Sequence, residues 1–312
     1  MMRQIRCNAC GADGHSVMLV GRDLLHDLPG EYTLVRCDKC GLLYLNPQPT
    51  YEELRPHYPY DYEPHVGSRE EQLNWLRRID YRYGIEKRYR AIMRYCKGPG
   101  TMLDVGCGPG TFLAGMREHD WRVAGIEPSP GPATYAREEL GLEVEVCPFE
   151  DATLPGARYD LVTMWNVLEH LSDPSDALRR VTAALKPGGL LVFAIPGTES
   201  YDRKIFGRYW AGYDIPRHLY VFPPATLEKM VVAAGLDVLE RRCIYGTYHA
   251  LAYSAQFAMK SVVTSQPIRR ALKGLLLSLP VRALMIPPMR IVDALGRGTI
   301  VTWFCRRVGR GG

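Results

Sequence analysis

The sequence predicts an α/β fold in which a small cysteine-rich head precedes a doubly wound, parallel sheet. Three observations carry that prediction. Short apolar runs alternate with helix-like stretches from residue 101 onward, a glycine-rich loop follows the first of those runs, and two Cys-x-x-Cys pairs stand near the start of the chain. Strand and helix in alternation imply parallel strands joined by helical crossovers. The 312 residues suffice for roughly two domains, and a 46% apolar composition supplies ample core. This composition excludes a disordered chain, a collagen-like chain and a coiled coil. The 39 Lys and Arg against 34 Asp and Glu leave a net charge of +5. Such an excess is small for this length, so a protein held to nucleic acid mainly by charge is disfavoured. The opening MMRQIRC lacks the apolar core of a secretory leader, and no run reaches the ~20 apolar residues of a spanning helix. A cytoplasmic address is the expectation.

Residues 1–50 form the predicted head. Cys7 and Cys10, then Cys37 and Cys40, make two knuckles whose second cysteine is followed by Gly11 or Gly41. Four thiolates in tetrahedral geometry suit Zn²⁺, and a closed four-sulfur shell leaves no place for water, so the expected role is structural. A redox dithiol and four unrelated cysteines are the alternatives. Residues 51–98 read as a connector and a helix. Pro47, Pro49, Pro56, Pro59 and Pro64 forbid long regular elements except a short turn at 51–55. At 69–95, Leu73, Leu76, Ile79, Tyr83 and Ile92 recur near helical spacing, with eight Arg and Lys against four acids on the remaining surface. That basic surface reads as the solvated face of a packed helix.

From residue 99 to the end the alternation takes over. TMLDVG, RVAGIE, LEVEVC, YDLVTMW and GLLVFAIP read as buried strands, with helices at 111–119, 131–140 and 174–185 between them. A long irregular excursion follows Gly197, then a helix at 226–234, a strand LDVLERRCI, an apolar insertion at about 246–298 and a last strand TIVTWFCRRV. The two strands flanking the insertion can pair at an edge of the sheet. The insertion is rich in Leu, Met, Ala and Pro with scattered Arg and Lys. Three uses stay open: capping an acceptor pocket, forming a homodimer surface, or resting peripherally on the inner face of a membrane through 271–289.

In LDVGCGPGTFL, a strand runs into Gly106, Gly108 and Gly110 and then into a helix. Glycines let a ligand approach the backbone closely, and a helix N-terminus follows. NAD enzymes use a similar loop. Asp104, inside the strand, suits a ligand's ammonium group better than a pyrophosphate. Glu127, ending the second strand, can take both hydroxyls of a ribose.

At this point the chain resembles the class I S-adenosylmethionine-dependent methyltransferases, over about 70–245 and again at the last strand. LDVGCGPG, GIEPS, YDLVTMWNVLEHLSDP and LKPGGLLVFAIP stand in the order and spacing of that family. CNAC, CDKCGLLYLNPQPT and YDIPRHLYVF further resemble a bacterial subgroup with a zinc-binding head that often modifies sugars, glycans or other small metabolites. The resemblance implies a Rossmann-like, mostly parallel sheet of seven strands with an antiparallel last strand. It implies S-adenosyl-L-methionine as cofactor, its amino-acid end cradled by Asp104, Gly106, Gly108 and Gly110 and its ribose held by Glu127. Adenine would meet Phe149, Glu150 and Asp151, and Asn166 joins the cofactor contacts. Many relatives carry aspartate where this chain has Pro148. Related quinone-modifying enzymes bind a divalent cation through Glu-x-x-Glu-His; here Asn166 replaces the first glutamate, which weakens the case for a catalytic metal and leaves Glu169 and His170 to tie down the loop after the fourth strand.

The excursion after the fifth strand should overhang the carboxyl edge of the sheet, where ligands meet in such folds. It contains Trp210, Tyr213, Arg217 and His218, a set suited to a sugar or phenol-like acceptor; the alternative is the aromatic cluster of an ordinary packed loop. A hydroxyl acceptor needs a base, and His218 and His170 are the candidates. The reading is methyl transfer to a small-molecule, sugar or glycan acceptor, most readily at oxygen. Two others are weighed beside it: an RNA methyltransferase using the zinc head for RNA, and a non-catalytic cofactor-binding sensor or scaffold.

Overall fold

The computed structural model of this chain describes residues 2–58 and 75–309, the side chains of 75–78 excepted. The rest of the connector, with Pro59 and Pro64, and the start of the expected helix, with Leu73, lie outside the described residues. Eleven strands are described, beginning with β1 (His15–Gly21), β2 (Tyr32–Cys37), β3 (Leu43–Leu45), β4 (Thr101–Val105) and β5 (Arg122–Ile126). Then come β6 (Val144–Glu145), β7 (Tyr159–Trp165), β8 (Leu185–Pro196), β9 (Tyr220–Val221), β10 (Leu236–Arg242) and β11 (Ile300–Arg307). The helices are α1 (Tyr51–Leu54), α2 (Trp75–Met93), α3 (Thr111–Glu118), α4 (Pro130–Glu138) and α5 (Pro174–Ala184), followed by α6 (Tyr201–Phe206) and α7 (Pro224–Ala233). The insertion folds as α8 (Thr247–Val262), α9 (Gln266–Leu276) and α10 (Leu279–Ala294).

Local chemistry sets several of these boundaries. Thr50 and Glu53 form a reciprocal capping box, the Thr50 N–H donating to Glu53 Oε2 at 3.0 Å, so the proline-rich connector still nucleates α1. Asp173 caps α5 by accepting from the Asp176 N–H at 2.8 Å, with Pro174 in the first turn, where its missing N–H costs nothing.

The chain divides into two compact units. One comprises Met1–His57, Ile195–Leu227 and Arg241–Thr302; the other comprises Tyr58–Ala194, Glu228–Glu240 and Trp303–Gly312. A four-stranded sheet in the first unit has the order β1-β2-β3-β9. Its last pairing, Leu43 with Val221 and Tyr44 with Tyr220, ties the head to the excursion.

The other sheet is mixed and mostly parallel, with seven strands in the order β10-β11-β8-β7-β4-β5-β6. This is the Rossmann-like fold expected. β4 lies in its interior next to the central β7, parallel to both β5 and β7. Such strands are buried on both faces, which is why Leu103, Val105, Leu161, Val162, Leu191 and Phe193 read as unbroken apolar runs. The third run is the exception: of LEVEVC, Val144 and Glu145 alone pair as strand.

Candidate functional site

The cofactor-type site belongs to the second unit and starts at the end of β4. Asp104 is 2% exposed and accepts a hydrogen bond from Thr163 Oγ1 at 2.6 Å. Register explains the contact, because Asp104 and Thr163 stand opposite each other on parallel neighbours. Burial pushes the Asp104 carboxyl up to about 7, against the Thr163 hydrogen bond and the Arg88 guanidinium, which favour the carboxylate. A buried, half-ionised acid at a strand end is a group poised for a cationic partner.

The loop after β4 turns through left-handed backbone at Gly106, Gly108 and Gly110. A Cβ on Gly106 would lie 2.6 Å from Val167 Cγ2, whereas one on Gly108 would meet nothing within 4 Å. The space over Gly108 is therefore open, as close approach by a ligand requires. Glu127, buried at the end of β5, clamps this loop: Oε2 accepts from the Gly108 N–H and Oε1 from the Ser129 N–H, both at 2.8 Å. Burial raises its pKa, the two backbone donors opposing. A carboxylate offers about four lone-pair sites, more than the Gly108 and Ser129 donors take, so capacity remains for a ribose hydroxyl. These residues fit the amino-acid and ribose ends of S-adenosylmethionine.

Phe149 is buried beneath the Arg180 guanidinium, 4.6 Å from its ring centre, and Glu150 accepts from Ser172 Oγ at 2.9 Å. Asn166 is exposed in left-handed backbone after β7, its N–H donating to the Ala194 carbonyl at 2.9 Å. Glu169 is fully buried, and His170 Nδ1 hydrogen-bonds the Tyr58 hydroxyl at 2.9 Å. Sequence reasoning missed Thr163, Arg88 and Tyr58. Only Thr163 left a signal, as the polar residue inside the buried strand YDLVTMW.

In the first unit the cysteine quartet assembles. All four sulfurs lie within 4.8 Å of one another, with Cys7 to Cys40 at 3.4 Å and Cys10 to Cys37 at 3.6 Å. Zinc with 2.3 Å bonds to sulfur sets tetrahedral edges of about 3.8 Å, so the donor set fits. None of these four cysteines is in a disulfide. The knuckles are alike: Gly11 and Gly41, both left-handed, donate to the Cys7 and Cys37 carbonyls at 2.8 and 2.9 Å.

The same unit corrects the expectation that Arg217 faces an acceptor. Its guanidinium is fully buried between two carboxylates, donating to Asp23 Oδ2 at 2.8 Å and to Asp214 Oδ1 at 2.6 Å. Asp23 also hydrogen-bonds His57 Nδ1 at 2.7 Å, and His57 Nε2 meets the Tyr32 hydroxyl at 3.0 Å. Despite its burial, the Arg217 and His57 contacts hold the Asp23 carboxyl down at about 2. Trp210 is buried too, its Nε1 donating to Asp202 Oδ2 at 3.0 Å. With Tyr213, Phe257, Arg208 and Lys260 it walls a cavity of about 330 Å³. His218 is 8% exposed, and its Nδ1 lies 2.9 Å from the Gly212 carbonyl. Burial lowers its pKa, with Asp214 opposing. A neutral ring donating from Nδ1 keeps its lone pair on Nε2.

Residues 76–241 match the family described as a methyltransferase domain. A ubiquinone biosynthesis O-methyltransferase from Methylobacterium sp. (strain 4-46) is 30% identical over 163 residues, 49% of this chain and 65% of that protein. One from Cereibacter sphaeroides (strain ATCC 17025 / ATH 2.4.3) is 30% identical over 152 residues, 45% of this chain and 62% of its own. The chain thus spans less than two thirds of the length of these relatives. Among solved structures, the [4+2]-cyclase SpnF aligns with a TM-score of 0.53 at 17% identity, over 84% of this chain and 97% of that one. A chain from the Haloferax volcanii complex of the Trm112 methyltransferase activator with a methyltransferase aligns at 0.51 and 18%, over 80% and 97%. Those two likenesses are of fold. The family match covers more than half of the 312 residues and includes Asp104, the glycine loop and Glu127, so the chain belongs to the methyltransferase-domain family.

Proposed function

We propose that the protein transfers the methyl group of S-adenosylmethionine to an oxygen of a small-molecule, sugar or glycan acceptor. The observation that carries this reading is the buried carboxylate pair, Asp104 and Glu127, on either side of an open left-handed glycine turn. The cofactor, when bound, supplies an electrophilic methyl group on a sulfonium. Asp104 receives its ammonium, Glu127 takes ribose hydroxyls with the lone pairs left by Gly108 and Ser129, and Phe149 with Glu150 borders adenine. His218, neutral with its lone pair on Nε2, removes the acceptor's proton, and His170 is the alternative base. Zinc on Cys7, Cys10, Cys37 and Cys40 has a structural role. The O-methyltransferase names of the curated relatives support an oxygen acceptor. Turnover tests the reading: S-adenosylmethionine labelled in its methyl group, incubated with candidate phenols and sugars, should yield a product 14 daltons heavier by mass. Binding of NAD with S-adenosylmethionine ignored would overturn it.

Asp104 gives that reading a pH signature. An ammonium binds the carboxylate, which is about tenfold more populated at pH 8 than at pH 6 for a group at about 7. Cofactor affinity should therefore fall about tenfold from pH 8 to pH 6, and calorimetry of Asp104→Asn should show weak binding without that slope. Stability should move oppositely. A carboxyl whose folded pKa exceeds its unfolded value leaves the folded state binding more protons, so Asp104 destabilises the ligand-free protein as pH rises from about 4 to about 7. Asp104→Asn should consequently melt higher than wild type at pH 8 in the absence of cofactor. An affinity independent of pH would remove Asp104 from the ammonium site.

A further inference from the structure

We propose that the helix pair α9 and α10 docks the protein on an anionic lipid surface, lying in the plane of the interface. Neither helix contains a single buried residue, although both are rich in Leu, Ile, Met and Ala. Ile268, Leu275 and Leu284 are 54%, 60% and 75% exposed. A packed pair of helices would hide these side chains from water.

The arrangement of charge selects the occupant. Across residues 263–292 there are five cations, Arg269, Arg270, Lys273, Arg282 and Arg290, and no carboxylate. At 100° per residue, Ile268, Ala271, Leu272, Leu275 and Leu276 share one side of α9, and Arg269, Arg270 and Lys273 gather on the other. On α10, Ala283, Leu284, Pro287 and Ile291 share a side, Arg290 borders it and Arg282 lies away from it. An apolar stripe flanked by cations is the pattern of a helix lying at a headgroup boundary. Each cation near an anionic leaflet adds about 1 kcal/mol of attraction. A second copy of this chain would instead bring two cationic surfaces together.

Length and shape favour lying over crossing. Among the described residues no single helix is long and apolar enough to cross a membrane, and α9 and α10 meet at a bend of 58°. The 16 residues of α10 reach about 24 Å, short of the ~30 Å hydrocarbon core. The pair is anchored to the first unit rather than loose: the Tyr248 hydroxyl donates to the Leu276 carbonyl, and Thr247 Oγ1 donates to Asp293 at 2.6 Å. That last bond also turns the acid of α10 toward Thr247.

Co-sedimentation of the full chain with vesicles tests this without reference to methyl transfer, so the two readings fail separately. At about 0.1 M salt, where screening is moderate, the protein should pellet with phosphatidylcholine vesicles containing phosphatidylglycerol and stay in solution with phosphatidylcholine alone. Arg269→Gln, Arg270→Gln and Lys273→Gln together should weaken partitioning about 100-fold. Leu275→Glu with Leu284→Glu should abolish it with every cation intact, and because both leucines are exposed the thermal melt should not move. Three results would overturn the proposal: no pelleting with anionic vesicles, equal pelleting of the triple variant and wild type, or a dimer split by the leucine variants in protein that ignores vesicles.

Discussion

Serine in place of Cys37, or prolonged chelation, should strip one zinc per chain and unfold the head. The scale is large, because apparent binding energies at structural four-ligand zinc sites run to about 10–16 kcal/mol and count as folding energy. The loss should extend beyond the first 50 residues. Cys37 ends β2, β2 pairs with β3, and β3 pairs with β9 through Leu43 with Val221 and Tyr44 with Tyr220. The Thr226 hydroxyl also donates to the Cys40 carbonyl at 2.6 Å. Hydrogen exchange should accordingly show the amides of Tyr220 and Val221 losing protection together with those of Leu34 and Val35, while β4, β5 and β7 keep theirs. Elemental analysis that finds no zinc in unchelated protein would refute the assignment, and protection retained in β9 of the metal-free protein would confine the metal's role to the knuckles.

The difference between what could and could not be read from the chain follows sequence distance. A parallel strand buried on both faces announces itself locally, so β4, β5, β7 and β8 and the helices between them stand near their expected positions. Knuckles are local too: each Cys-x-x-Cys-Gly closes through its own backbone. The β3 to β9 pairing joins segments some 175 residues apart, and β9 is two residues long, too short for any periodicity to mark. The cluster around Arg217 hid for the same reason. Its partner Asp23 lies 194 residues away, and Asp23 stands in no motif that could point to Arg217. In isolation, Arg217 beside His218 and a run of aromatics looks like an acceptor site; with Asp23 and Asp214 in place, it is a buried ion cluster of the kind that costs about 3–5 kcal/mol to break from one side. Thr163 lay within reach, since a polar residue in the interior of a doubly buried strand needs a partner, and parallel register supplies Asp104.

His218→Asn should lower turnover by about 10²- to 10⁴-fold, the range for loss of a positioned base, and leave cofactor affinity nearly unchanged. Asparagine is the informative replacement. Its amide nitrogen falls close to where Nδ1 does, so it can keep donating to the Gly212 carbonyl that now receives the histidine at 2.9 Å. What it lacks is a lone pair where Nε2 was. The packing of a residue only 8% exposed is thus largely retained and the basic nitrogen removed. A purely structural His218 would give the opposite result, a lower melting temperature with normal turnover of the folded fraction. His170→Asn provides the comparison, since His170 Nδ1 is engaged by the Tyr58 hydroxyl at 2.9 Å in a short turn after β7. Single-turnover rates of both variants on one accepted substrate separate the cases. A collapsed rate for His170→Asn with a normal one for His218→Asn would move the base to His170. Normal rates for both would mean that the acceptor is nucleophilic enough for alignment alone to carry the transfer.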